Sequence, residues 1–265
     1  MSLHWQSSPN SLQFAESAEF AAQTIVSLVP SQTELLYALG VGERVVGVTK
    51  FCVHPASARQ QAAVVGGTKQ VDFEKIVALQ PALIIANKEE NTRADIERLA
   101  ERYSVWVSDI TTLPDALGMI QQVAALVGAV GPAQALACHI KASFVALGAA
   151  TAGRSPVPAA YLIWRRPYLV AGGSTFIDDM LRRAGFANVF GHLGRYPEVS
   201  AEALAAAAPA RILLSSEPYP FKEKHLAELQ AICPRAQVQL VDGELFSWYG
   251  SRLRYSAPYF ERLAC

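Results

Sequence analysis

The chain has 265 residues, 51% hydrophobic and 17% charged, with 23 basic and 23 acidic side chains and a formal net charge of +0. That composition buries a sizeable core, in one large domain or two lobes, and excludes a disordered or low-complexity chain. The balanced charge, with no basic stripe and no interleaved aromatics, excludes a nucleic-acid partner. Residues 1–23 read as an N-terminal extension, with no Lys or Arg before Arg44 and no uninterrupted apolar run, so they do not form a secretory signal. The Met-Ser-Leu start leaves room for a natural leader that has been replaced, which keeps both a periplasmic and a cytoplasmic location open. No later stretch is expected to span a bilayer. Cys52, Cys138, Cys233 and Cys265 are far apart, form no C-x-x-C pair and read as free thiols, mostly in the core.

Residues 24–131 predict a first lobe. IVSLV (25–29), RVVGVT (44–49), ALIIA (82–86) and VWV (105–107) are apolar, β-branched runs separated by helical patterns, which argues for α/β layers with mostly parallel strands. SQTELLYALG predicts a helix with Ser31 or Thr33 as N-cap and Gly40 at its end. TRADIERLAERY places Ile96, Leu99, Ala100 and Tyr103 on one helical face. LPDALGMIQQVAALVG is helical up to Gly128. Pro132 then opens a segment without a breaker before Gly148 or Gly153, so residues 132–153 predict a linking helix about 30 Å long at 1.5 Å per residue. A continuous strut of this kind implies modest closure between lobes.

Residues 154–265 predict a second lobe that restarts the pattern of the first, with strands AAYLIW (159–164), RILLS (211–215) and VQLV (238–241). One segment is written twice: VDFEKIVALQPALIIA (71–86) and VSAEALAAAAPARILLS (199–215) align without a gap. Each predicts a short helix with a glutamate in its first turn, Glu74 or Glu202, a helix-ending Pro-Ala and a buried strand. A carboxylate in that turn complements the helix dipole, so a plain capping role and an external role both remain open.

Taken in order, IVSLVPSQTELLYALG, VVGVTKF, GGTKQVDFEKIVALQPALIIA, the strut and RYPEVSAEALAAAAPARILL resemble the solute-binding proteins of ABC importers that carry a long interlobe helix. This group includes periplasmic vitamin B12, haem and ferric siderophore receptors. The resemblance covers residues 24–263 and implies two lobes with a ligand between them, a periplasmic location and no enzymatic activity. It also implies that Glu74 and Glu202 dock on arginines of membrane permease subunits. Bidentate pairing of guanidinium and carboxylate on two separate lobes would fix orientation as well as position. Phe51, Trp164, Tyr196 and Trp248 fall where the vitamin B12 branch places ring-bearing residues, whereas Thr68 and Asn87 fall where it has tryptophans.

Ligands of parallel α/β layers sit beyond the carboxyl ends of strands, where this chain has polar and aromatic loops. In the second lobe these carry Trp164, Arg165, Arg166, Tyr168, Glu217, Tyr219, Phe221, Trp248, Tyr249 and Arg252. Flat rings beside guanidinium groups suit a bulky, conjugated, partly anionic metal chelate. In the first lobe FCVHP, read as extended, points Cys52 and His54 the same way and offers them as possible axial contacts to a bound chelate, with His192 a weaker candidate. ANKEEN places Lys88, Glu89, Glu90 and Asn91 at a strand end. Thr68 and Lys69, after Gly66-Gly67, offer donors to an acidic group. GGSTF (172–176) resembles a phosphate-cradling turn.

The expected activity is therefore capture and delivery of a metal chelate by a monomer with no resident cofactor or metal site. Two alternatives stand beside it. One is a cytoplasmic sensor or carrier of the same fold. The other is a thiol- or metal-dependent catalyst using Cys52 and His54, although no established catalytic motif is present.

Overall fold

A computed structural model describes residues 24–263; the expected extension 1–23 and Cys265 lie outside the described residues. Two compact units are formed. Among the described residues, one holds 24–109 together with Leu117–Ala137, and the other holds Ile110–Ala116 and 138–263.

The first unit runs β1 (Ile25–Ser27), α1 (Pro30–Ala38), β2 (Val45–Val48), α2 (Ala58–Gln61), β3 (Ala63–Val64), α3 (Phe73–Leu79), β4 (Leu83–Asn87), α4 (Arg93–Ala100) and β5 (Val105–Ser108). Its five strands pair in the order β3-β2-β1-β4-β5, all parallel. Every residue of β4 is buried, which is why ALIIA reads as a continuous apolar run rather than an alternating one. The core gathers Val26, Leu28, Ile76, Ile84, Ile96 and Leu99, with Tyr103 packed against it. The expected side-chain cap of α1 is absent. Val29 is the N-cap and Pro30 the first helical residue. Ser31 and Thr33 lie inside the helix, where the Thr33 hydroxyl donates back to the Val29 carbonyl at 3.0 Å. Proline at this position already satisfies the entry geometry, so no hydroxyl is needed there.

Helix α5 (Leu113–Val127) and helix α6 (Val130–Thr151) follow, separated by Gly128 at φ +69°. The long helix begins two residues ahead of Pro132, which sits in its first turn. It starts in the first unit and ends in the second. By length and composition α6 is apolar enough to cross a membrane, which corrects the expectation that no stretch is. Leu136, Ile140, Phe144 and Leu147 are buried along one side, so these apolar side chains serve as core.

The second unit continues with β6 (Val157–Trp164), β7 (Tyr168–Val170), α7 (Phe176–Arg183), β8 (Phe186–Asn188), β9 (Glu198–Val199), α8 (Ala201–Ala206), β10 (Arg211–Ser215), α9 (Leu226–Ile232), β11 (Gln237–Val241), α10 (Glu244–Ser247) and α11 (Leu253–Leu263). Its sheet runs β11-β10-β6-β7-β9, with β8 also paired to β6. The β6, β8, β10 and β11 pairings are parallel. The short β7 and β9 run antiparallel, in a stretch where the sequence shows no strong β pattern. The fold is thus α/β, with two lobes of mostly parallel strands joined by one long helix.

The duplicated segment is repeated position for position. Asp72 and Ser200 cap α3 and α8, accepting from the Lys75 and Ala203 amides at 3.1 Å each. Ile76 and Leu204 are fully buried. Gln80 and Ala208 end the two helices in the left-handed region, at φ +45° and +47°. A buried proline and then β4 or β10 follow. The match extends to the strand ends: Asn87 Oδ1 accepts from the Glu89 amide at 2.8 Å, and Ser215 Oγ from the Glu217 amide at 3.3 Å. Because each cap satisfies an otherwise orphaned helical donor, Asp72→Ala and Ser200→Ala should each cost about 1 kcal/mol, read as a lowered urea midpoint.

Candidate functional site

In the first unit the carboxyl ends of β1, β4 and β5 close over buried polar groups. Asn87 donates to the Ser108 carbonyl and hydroxyl at 3.1 and 3.0 Å, and Gln32 donates to the same hydroxyl at 2.6 Å. Asn91 accepts from the Asn87 amide at 2.8 Å and donates to the Thr68 carbonyl at 3.0 Å. These bonds satisfy the backbone where the strands stop, so Asn87 and Asn91 are committed to the scaffold. Thr68 is 9% exposed, which removes most of its side chain from the rim. Lys69 donates to the Glu89 carbonyl, and Lys88 pairs with Asp109 at 2.7 Å.

Phe51 stands open at 50% exposure, with the Lys50 ammonium 5.1 Å from its ring centre. Cys52 does not share that rim. It is fully buried, and its sulfur lies 3.1 Å from the Thr33 hydroxyl and 3.2 Å from that of Thr49. Burial, only partly offset by these hydroxyls, raises the thiol pKa. A buried neutral thiol is neither a nucleophile nor an axial ligand. The expected alternation of an extended FCVHP also fails, because this stretch is a turn in which Cys52 is buried and His54 half-buried.

In the second unit the loops after β6, β10 and β11 bring rings together. Trp164, 39% exposed, packs edge-on against Tyr219 at 5.6 Å. Tyr219 meets Phe221 at 4.8 Å and His225 at 5.6 Å. Phe221, Trp248 and Tyr249 are 5 to 7% exposed. These three form the layer beneath the rim rather than the rim itself, since their large apolar area is better satisfied inside. His225 is also buried, and its Nδ1 accepts from the Lys222 amide at 2.9 Å, which puts the proton of the neutral ring on Nε2. Burial and then the Arg165 charge lower its pKa.

Arg165 is held by Glu228, with contacts of 2.9 and 2.6 Å to Oε2, and Tyr168 donates to the same carboxylate. Arg166 is exposed beside this pair at φ +64°. Glu228 was not anticipated, because a lone glutamate in LAELQAI reads as part of a solvated helix face. Burial, followed by the bond to Glu228, pushes the Tyr168 phenol up to about 12.

Around the end of β10, Glu217 Oε1 accepts from Ser247 at 2.6 Å and from the Trp248 indole at 2.9 Å. Arg252 lies 4.9 Å from the Trp248 ring centre and pairs with Glu244 at 2.7 Å. Tyr196 and His192 sit on the loop ahead of β9, half-buried and exposed respectively. GGSTF forms no phosphate cradle: the Gly172 and Gly173 amides donate to the Arg195 and Leu193 carbonyls at 2.7 and 2.6 Å, and Thr175 caps α7 through the Asp178 amide. Among the described residues no three His, Cys, Asp or Glu side chains cluster in a way that could hold a metal.

Glu74 and Glu202 are exposed, each the second residue of its helix. Bonding within its own turn, first from Ser200, lowers the Glu202 pKa, so this carboxylate is charged at neutral pH.

Arg165 and the Tyr168 phenol act on Glu228 in one direction. The Arg165 hydrogen bond, ahead of all other causes, holds its carboxyl below the usual range. The stability it contributes is therefore present above the unfolded pKa and lost as pH falls through the folded one. The urea midpoint of the wild type should exceed that of Glu228→Gln at pH 7, and the gap should close as pH falls below about 4.

A model of the periplasmic binding protein family matches residues 25–233. The chain is 28% identical over 204 residues to the vitamin B12-binding protein of Photorhabdus laumondii subsp. laumondii, covering 76% of this chain and 74% of that one. It is 26% identical over 195 residues to the vitamin B12-binding protein of Vibrio parahaemolyticus, covering 73% and 70%. Among solved structures, the periplasmic vitamin B12 binding protein BtuF of Vibrio cholerae superposes with a TM-score of 0.80 at 22% identity, over 92% of this chain and 98% of that one. The periplasmic heme-binding protein BhuT, in complex with two hemes, gives 0.80 at 24% identity over 91% and 97%. These likenesses between structures establish the shared fold. With most of its length matched, the chain belongs to the periplasmic binding protein family, as a solute-binding protein and not an enzyme.

Proposed function

We propose that this protein captures a bulky metal chelate, a corrinoid, haem or ferric siderophore, at the strand-end rims of its sheets. It then delivers the chelate from the periplasm to the permease subunits of an ABC importer in the membrane. The observation that carries this reading is the structural repeat. Two short helices with the same cap, the same buried anchor and the same left-handed exit each present one exposed glutamate. A scaffold role needs the cap and the anchor, and Asp72 and Ser200 already supply the cap. The glutamates are exposed and can meet arginines outside the chain.

The vitamin B12-binding names of the relatives favour a corrinoid, and the heme-binding neighbours favour the wider chelate class. Phe51, Trp164, Tyr168, Tyr196 and Tyr219 are the exposed or half-buried rings available for stacking. Arg166 supplies an exposed cation for an acidic group on the ligand, and half-buried His54 is the candidate for axial contact. Cys52 drops out because it is sealed, and with it the thiol-dependent catalyst.

Titration of the purified protein with cyanocobalamin, haemin and a ferric siderophore should give saturable 1:1 binding with at least one. Binding of none would overturn the reading. In reconstituted transport, Glu74→Arg combined with Glu202→Arg should abolish stimulation of permease ATPase while leaving ligand affinity within about twofold, since exposed charges contribute to partner choice more than to raw affinity. Loss of ligand binding in that double variant would contradict the assignment of the two glutamates.

A further inference from the structure

The Glu217 carboxylate is half-buried and among the described residues meets no cation. Its Oε1 is held by the Ser247 hydroxyl and the Trp248 indole alone. Arg252, whose guanidinium lies over the Trp248 ring, is paired with Glu244. Both ends of Glu217 are fixed. Its amide bonds to Ser215 Oγ, and that hydroxyl in turn donates to the Glu217 carbonyl and accepts from Tyr161. Even the packing is committed, because a Cβ at Gly243 would stand 2.8 Å from Glu217 Cγ. A carboxylate held by two neutral donors, with no countercharge, carries a desolvation cost that those bonds only partly offset.

We propose that Glu217 is the positioning residue of this rim: it locks the Trp248 indole to the end of β10 and so sets the ring on which Arg252 rests, and its protonation releases that lock. The proposal rests on the chelate-binding reading and adds a residue that acts through Trp248 rather than on the ligand. The charged and titratable groups acting on Glu217 are Glu244 on α10, Asp242 just after β11 and Tyr161 on β6, while Arg252 lies over the Trp248 ring and Tyr259 on α11 accepts from the Asp242 amide. Burial, opposed by Ser247 and reinforced by the Glu244 and Asp242 charges, raises its pKa. Glu217 therefore takes up a proton at a higher pH than an exposed carboxylate, and the neutral acid is the weaker acceptor for the indole.

The direct test is the indole N–H resonance of Trp248, assigned with Trp248→Phe and followed by NMR from pH 8 to pH 4.5 without ligand. It should titrate with a midpoint above the ordinary glutamate value in the wild type and stay flat in Glu217→Gln, which keeps the acceptor oxygen but cannot ionise. With cyanocobalamin as probe, wild-type affinity should fall about tenfold across the same range, the loss expected for one charge-assisted hydrogen bond, and Glu217→Gln should lose less than threefold. A resonance that fails to titrate in the wild type, or titrates equally in Glu217→Gln, overturns the proposal. If cyanocobalamin does not bind, the chelate reading for that ligand fails while the indole titration still decides the role of Glu217.

Discussion

A buried parallel strand must end somewhere, and where it ends the backbone needs new hydrogen-bond partners while the chain turns onto a helix. Both sheets meet this constraint in the same way. A polar side chain in the last strand position, Asn87 or Ser215, accepts the amide two residues on. In both units the residue whose amide is captured is a glutamate, Glu89 or Glu217. The geometry of the rims follows from that closure, because it decides which side chains are tied down and which are left to face outward.

In the first unit the closure consumes most of the polar residues. Gln32, Asn87, Asn91 and Ser108 bond to one another, Cys52 is sealed beneath Thr33 and Thr49, and Phe51 is the large ring left open. In the second unit the closure is aromatic. Trp164 and Tyr219 stand over Phe221 and His225, while Trp248 is pinned by Glu217. Trp164 and Tyr219 thus leave open or half-open aromatic surface on the second unit. Glu74 and Glu202 belong to a separate device, a capped helix whose buried anchor, Ile76 or Leu204, holds the first turn to its own sheet.

The parallel strands, the long helix and the duplicated Val-x-x-Glu segment were legible because each is written in local periodicity. β4 is a run of buried residues, α6 lacks a breaker, and Pro81 and Pro209 mark strand starts. What could not be read was the direction of single side chains near a strand end. Cys52 and His54 looked equivalent by alternation, yet the backbone turns there. Phe221, Trp248 and Tyr249 looked like rim residues, yet their rings bury more area by packing inward. Ser31 looked like a cap until Pro30 took the first helical position. Glu228 carries no local signal at all, since its partner Arg165 lies 63 positions away.

The central claim is that the protein carries a metal chelate rather than transforming one. Native mass spectrometry of the protein purified from cells grown with cobalamin and iron, joined to its visible absorption spectrum, tests this most directly. The account predicts a 1:1 adduct with the mass and absorption bands of a corrinoid, haem or ferric chelate, released intact on denaturation. A colourless protein that carries no such mass and stays unliganded when the chelates are supplied would contradict it.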